Sequence, residues 1–191
     1  MVISVVIPVL LLLGLLGYVA VRPGAFRIER SAHIAASPDA VLAQIQDLRR
    51  FNRWNPFAGA DPTIRLRYSG PDDGVGAWCE WNGRKSGQGR MRIVNVTATE
   101  VVMALDFIGP LPAQNVATFT LIPDGSATRL CWAMSGYNSF GRRLLAILCQ
   151  MDRIVGSAFE RGLGRLRELL ETPETPDAAS LTPTALQERV A

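Results

Sequence analysis

Two carboxylates stand in strand-like stretches where acid–base chemistry would be conceivable: Glu80, beside Trp81, and Asp106, within Glu100 to Ile108. A carboxyl turned into an apolar interior has its pKa raised and can hydrogen-bond a ligand hydroxyl. Neighbouring strand residues point to opposite faces, so Glu80 and Trp81 cannot both face inward unless a bulge intervenes, and a solvated Glu80 is the simpler expectation. Asp106 falls opposite the apolar face made by Val101, Met103, Leu105 and Phe107. The single histidine, His33, lies on the polar side of an alternating stretch; it has no Ser or Cys partner by motif, and no GxSxG occurs, which leaves no recognisable nucleophilic triad. One histidine and three cysteines without a CxxC pair (Cys79, Cys131, Cys149) argue against a His-based zinc site and against a disulfide framework. Gly87-Gln88-Gly89 lacks the rest of a dinucleotide fingerprint and reads as a turn. No catalytic residue, metal site or cofactor is therefore expected.

Adaptable apolar contact is better represented. Leu66, Met91, Ile93, Met103, Phe107, Phe119, Trp132 and Met134 share the inward phase of successive alternating stretches. They would face Met151, Val155 and Phe159 from a helix near the end of the chain, with Trp54 and Trp81 beside them. Either these residues fill an ordinary core, or they line a cavity between sheet and helix. Aromatic and methionine side chains suit the second role, and small-molecule sites are mostly apolar with few polar groups. The candidate ligand-binding set is accordingly Trp54, Trp81, Met91, Met103, Phe107, Phe119, Trp132, Met134, Met151, Val155 and Phe159.

The elements that must position them follow from periodicity. From Phe140 to Glu171, Leu144, Leu148, Met151, Val155, Phe159, Leu163, Leu166 and Leu170 recur in steps of three and four, with arginines on the other side. This predicts one long amphipathic helix of about 45 Å. Phe26 to Ala35 alternates as a half-buried strand. Ser37-Pro38-Asp39 opens a short helix, and a second short helical turn carries Leu48, Phe51 and Trp54. Six further strands follow, joined by short turns such as Gly70 to Gly74 and Pro123 to Ser126. Short connections make the sheet antiparallel, and the domain α+β.

Residues 2–21 carry no charge and have the length of a bilayer-crossing helix. A cleavable signal would want a basic start and a small-residue cleavage site, and both are missing. Arg22, Arg27 and Arg30 follow the span, which by the positive-inside rule puts the rest of the chain in the cytoplasm. The expectation is a single-pass cell-membrane protein with an anchor at 1–24, a folded domain at 25–171 and a disordered tail at 172–191. A net charge of +3, supplied almost wholly by arginine, does not suggest a nucleic-acid partner.

Several local strings carry a resemblance. Ser37-Pro38-Asp39, Phe51-Asn52-Arg53-Trp54-Asn55-Pro56-Phe57, Tyr68-Ser69-Gly70-Pro71, Gly74-Val75-Gly76-Ala77 before Glu80-Trp81, Gly89-Arg90-Met91, Trp132-Ala133-Met134-Ser135-Gly136 and Met151-Asp152 are placed as in the START-like, or SRPBCC, superfamily. Within it the chain most resembles the polyketide cyclase/dehydrase and lipid transport group, over residues 25–171. The resemblance implies a helix-grip fold, a curved antiparallel sheet wrapped around a long C-terminal helix, with Trp54 to Phe57 bordering the cavity mouth. It also implies a range of functions that the fold does not choose among. The expected function is membrane-anchored binding of a lipid or other hydrophobic small molecule. A polyketide cyclase- or dehydratase-like enzyme is the alternative from another class, and an interaction or stress-response module without ligand is the third.

Overall fold

The computed structural model describes residues 3–109, 112–148 and 150–172. Cys149 and the tail from 173 onward lie outside the described residues. The chain begins with helix α1 (Ile3–Val21) and strand β1 (Ala25–Ile34), followed by helices α2 (Pro38–Gln46) and α3 (Leu48–Trp54). Strands β2 (Arg65–Ser69), β3 (Trp78–Gly83), β4 (Gly87–Val96), β5 (Glu100–Gly109), β6 (Ala113–Asp124) and β7 (Ala127–Tyr137) come next, and helices α4 (Phe140–Leu148) and α5 (Met151–Glu171) close the fold. The seven strands form one antiparallel sheet in the order β1-β7-β6-β5-β4-β3-β2. Hairpins thus lay down β2 to β7 in sequence, and β1 pairs with the last strand. This is a helix-grip α+β arrangement, as expected.

Local chemistry explains the elements. Ser37 accepts the Ala40 N–H and Pro38 occupies the first turn, which starts α2. Asp47 caps α3 by accepting from Arg49 and Arg50 N–H, and α3 turns Leu48, Phe51 and Trp54 inward at steps of three. Along β4 burial alternates through Gly89, Met91 and Ile93, the period-two signature of one covered face. Helix α5 covers that face with Val155, Phe159, Leu163 and Leu166. Its Gly162 is what allows the close approach: a Cβ there would meet Pro56 Cδ at 2.8 Å and Trp132 Cζ3 at 2.9 Å. Arg30, on the inner face of edge strand β1, reaches Glu160 at 2.8 Å and Asp152 at 3.5 Å and ties α5 to that edge.

The single long helix expected over 140–171 is in fact two. Gln150 adopts φ 47°, the left-handed region, between α4 and α5. Such a residue redirects the chain while leaving the apolar spacing on either side intact, so periodicity alone does not reveal it. Helix α4 instead packs beside the end of α1, where Arg143 donates to the carbonyls of Ala20 and Arg22. Residues 3–21 do form a helix. Among the residues described with their side chains, however, no helix is long and apolar enough to cross a membrane, so the fold does not support the expected anchor.

Antiparallel hairpins bring the connections to two ends of the sheet. One end gathers the start of β1, the β3–β4 and β5–β6 connections and the end of β7, with α1 and α4 adjacent. The other gathers the start of α2, the β2–β3, β4–β5 and β6–β7 connections and the C-terminus of α5, where Glu171 accepts from Ala35 N–H at 2.8 Å. The interior is divided the same way. Ile34, Val41, Ile45, Ile93, Val101, Leu121, Leu130 and Leu166 are packed together at the second, closed end. The first end is hollow.

Candidate functional site: an open apolar cavity

The hollow is about 810 Å³, within the usual range for small-molecule sites. Each strand contributes the residues of its inner face that lie toward the open end: Ile28, Leu66, Trp81, Met91, Met103, Leu105, Phe107, Ala117 and Met134 form the walls. The boundary between packed and hollow halves is aromatic. Phe119 and Trp132, register partners on β6 and β7, have ring centroids 5.1 Å apart. Phe159 of α5 stacks on Trp132 at 4.1 Å and 10°, and Phe51 meets Phe119 edge-on at 5.6 Å. Edge-to-face and offset contacts of this kind are favourable beyond the area they bury. They give the cavity a rigid floor.

Ten of the eleven residues expected to line a cavity do so: Trp81, Met91, Met103, Phe107, Phe119, Trp132, Met134, Met151, Val155 and Phe159. Trp54 does not. It lies behind the floor, fully buried, with its indole N–H donated to the Gln44 carbonyl at 3.2 Å and its ring edge-on to Trp132 at 5.6 Å. The spacing of α3 turns Trp54 to the same side as Phe51, and only the nearer ring is left facing the void. Phe26, Phe51, Phe57, Asn52, Asn55 and Asn115 also line the cavity. Of these, Phe26 and Asn115 carried a usable signal, the inward phase of their strands. Ile93, expected to face inward, does so within the packed half.

The strand carboxylates are outside. Glu80 pairs with Arg90 at 2.6 Å on the outer face, and Asp106 is the register partner of that same Arg90 on β4. Trp81 takes the inward position, packed over Gly89, where a side chain would collide with the indole. His33 is exposed and lies 3.2 Å from Asp124. Among the described residues no group of His, Cys, Asp or Glu is arranged to hold a metal.

Asp61 is a carboxylate at the cavity that sequence reasoning missed. It is buried, yet all its capacity is taken: Oδ1 accepts from Thr63 N–H and Oγ1 at 2.9 and 2.6 Å, and Oδ2 from Lys85 N–H, Ser86 N–H and Ser86 Oγ at 2.8, 3.0 and 2.9 Å. The Thr63 hydroxyl first, then the Ser86 N–H and the other donors, holds its carboxyl far below the usual range. It latches the 55–64 loop to the β3–β4 turn and is not a proton donor near neutrality. Two buried polar atoms at the cavity have no hydrogen-bond partner among the described residues, Trp132 Nε1 and Asn115 Oδ1. Both atoms are closed off from the void by packing, so what the site offers a ligand is its apolar walls.

Several solved structures of similar architecture are distant in sequence. Protein CV1439 from Chromobacterium violaceum is 19% identical, with a TM-score of 0.53 over 79% of this chain and 99% of its own. The Aha1 dimer from Colwellia psychrerythraea is 14% identical with a TM-score of 0.56, covering 78% of this chain and 98% of its own. CalU16 from Micromonospora echinospora is 17% identical with a TM-score of 0.52, covering 80% and 78%. At these identities the likeness is one of fold. Compared with the curated proteins, the chain matches none. The model of one family, however, matches residues 25–171, from the first strand to the last turn of α5, and so takes in every wall of the cavity. The chain belongs to the polyketide cyclase / dehydrase and lipid transport family.

Proposed function

We propose that the protein binds a hydrophobic small molecule, a lipid or a compound of similar shape, without transforming it. The observation that carries this reading is the open cavity of about 810 Å³ whose walls are almost entirely apolar and whose floor is an aromatic stack. The cyclase or dehydratase alternative wants an acid or base held inside the cavity, whereas Glu80 and Asp106 lie outside it, Asp61 is committed to five donors, and Asp152, which also lines the cavity, is largely exposed beside Arg30. A module without ligand would have been served by a packed interior.

Membrane anchoring belongs to the same proposal. What supports it is the sequence of residues 3–21, 19 residues without a charged side chain and about 28 Å as a helix at 1.5 Å per residue, close to the thickness of a bilayer core, although the described side chains alone do not make a span. Ile7, Leu10, Leu11 and Leu13 of α1 are exposed among the described residues. With Arg22, Arg27 and Arg30 following, the domain would be cytoplasmic. An anchor holds the cavity near any ligand dissolved in the bilayer, raising its effective concentration.

The test compares the full chain with Ala117→Arg, purified in parallel and extracted with organic solvent for mass spectrometry. Ala117 is on the cavity wall between Met103 and Met134, its register partners. An arginine there fills the void with a charged chain. The expected result is a compound recovered with the wild type and depleted roughly tenfold or more in the variant, whose circular dichroism is unchanged. Equal recovery from both, or none from either together with failure to take up a fluorescent fatty acid or sterol, overturns the reading.

A further inference from the structure

The open end of the sheet is also the end at which α1 enters the domain, and its surface differs from that of the closed end in two respects. The first is charge. Arg22, Arg84, Lys85, Arg142 and Arg143 are carried by the elements that meet there, and among the described residues none of their side chains forms an ion pair. Arg142 is instead held by the carbonyls of Pro112 and Tyr137, at 2.5 and 3.1 Å, and by Asn138 Oδ1. Of the acids at this end, Asp61 is consumed by its donors and Asp152 faces Arg30. The closed end carries the opposite sign on its turns: Asp39, Asp72, Asp73, Glu100, Asp124 and Glu171. Of the basic residues near it, Arg49 lies over the Tyr68 ring, Arg50 pairs with Asp47 and Arg167 with Glu171, and His33 meets Asp124. Arg129 has no ion pair among the described residues, which leaves Asp39, Asp72, Asp73 and Glu100 in excess. The second respect is aromatic and more extensive apolar exposure, the closed end exposing only aliphatic side chains such as Val75, Ile122 and Leu169 among the described residues. Phe57, Ile108, Tyr137, Phe140, Leu145 and Met151 are large side chains left exposed around the opening, between 38% and 69% accessible. Phe57, Leu145 and Met151 also line the cavity itself.

We propose that this end is a docking face for an anionic lipid bilayer, seating the cavity mouth directly on the membrane surface. Basic side chains interleaved with exposed aromatic and aliphatic ones are what the interfacial region of an anionic leaflet attracts. The acidic closed end is repelled from the same surface, so the charge distribution fixes the orientation. Helix α1 joins the domain at the docking face, and Arg143 braces α4 to the backbone at the end of α1. A ligand then passes between bilayer and cavity without crossing water. The proposal extends the binding and anchoring reading above, but the surface argument rests on charge and exposure at one end of the domain, independently of what fills the cavity.

The experiment places the full chain in nanodiscs of phosphatidylcholine alone and in discs with added phosphatidylglycerol, and follows amide hydrogen exchange. Segments 84–86 and 139–145 report on the docking face; 72–75 and 124–126 report on the closed end. Expected is a slowing of about tenfold at the docking-face segments in the anionic discs only, weakened in Arg84→Gln/Lys85→Gln and reversed by high salt. The closed-end segments exchange alike in both discs. Equal exchange of the docking face in the two lipids, or slowing at the closed end instead, overturns the proposal. So does protection of the same face without lipid that grows with protein concentration, which marks contact with a second copy. A chain that is not retained in discs refutes the anchor and leaves docking to be read from its sedimentation with vesicles of the same two compositions: binding to the anionic vesicles alone upholds it, and equal or absent binding overturns it.

Discussion

Asp61 shows how a single carboxylate can sit at a ligand cavity and still be structural. Its folded-state pKa lies below its unfolded value because Thr63, Ser86 and Lys85 donate to the ionised form. The stability this contributes is complete above the unfolded value of about 4 and is lost as pH falls through the folded one. Asp61→Asn keeps the shape but loses that linkage. Its thermal melting point is expected to be lower near neutrality and to change less between pH 5 and 2, roughly, than that of the wild type, as scanning calorimetry would record. Sequence reading had no means to single out Asp61. Two of its five donors belong to nearby Thr63, but the other three, from Lys85 and Ser86, are some two dozen residues away and are brought near only by the register of β2, β3 and β4. Trp54 failed for a related reason. Its helical phase placed it correctly on the inner side of α3, but whether an inward side chain meets void or packing depends on how deep along the strands it lies. Glu80 and Trp81 were separable in advance because strand alternation alone decides which of them faces in.

The elements themselves were largely legible. Alternation marked seven strands, a serine and a proline marked α2, and turn composition marked the hairpins, since each of those signals is local. The break at Gln150 was not, because a left-handed residue needs no special sequence when tertiary packing holds it. An L-residue in that region costs about 1 kcal/mol relative to glycine. Gln150→Gly is therefore expected to stabilise the domain by about that amount in urea titrations. In an unbroken helix the same substitution would destabilise by a similar amount, so the sign of the change reports on the break. The division of the sheet into packed and hollow halves sets a second expectation. Leu121→Ala at the closed end empties a filled site and should cost about 2–5 kcal/mol. Met134→Ala, on the same face of the sheet but at the cavity wall, removes contacts on one side only and should cost clearly less. Paired denaturation curves of the two variants compare the halves directly.

At the scale of the molecule, topology decides more than any side chain. A sheet built of consecutive hairpins delivers every other connection to one end. In this chain that end receives the cavity mouth, the basic residues, the exposed aromatic rim and the incoming α1. None of this co-location can be read along the sequence, where Arg22, Lys85 and Arg142 are far apart; it appears only once strand order is known. The aromatic floor has a consequence of another kind. Of the four tryptophans, Trp132 and Trp81 border the cavity, Trp54 lies 5.6 Å from Trp132 at 81°, and Trp78 lies outside under Arg90. Two indoles so close and so steeply crossed couple their electronic transitions, and Trp132 is the member that an incoming molecule would touch. The protein thus carries its own optical gauge of occupancy: filling the cavity would perturb the near-ultraviolet circular dichroism of the Trp54–Trp132 pair, while Trp78 supplies a constant background.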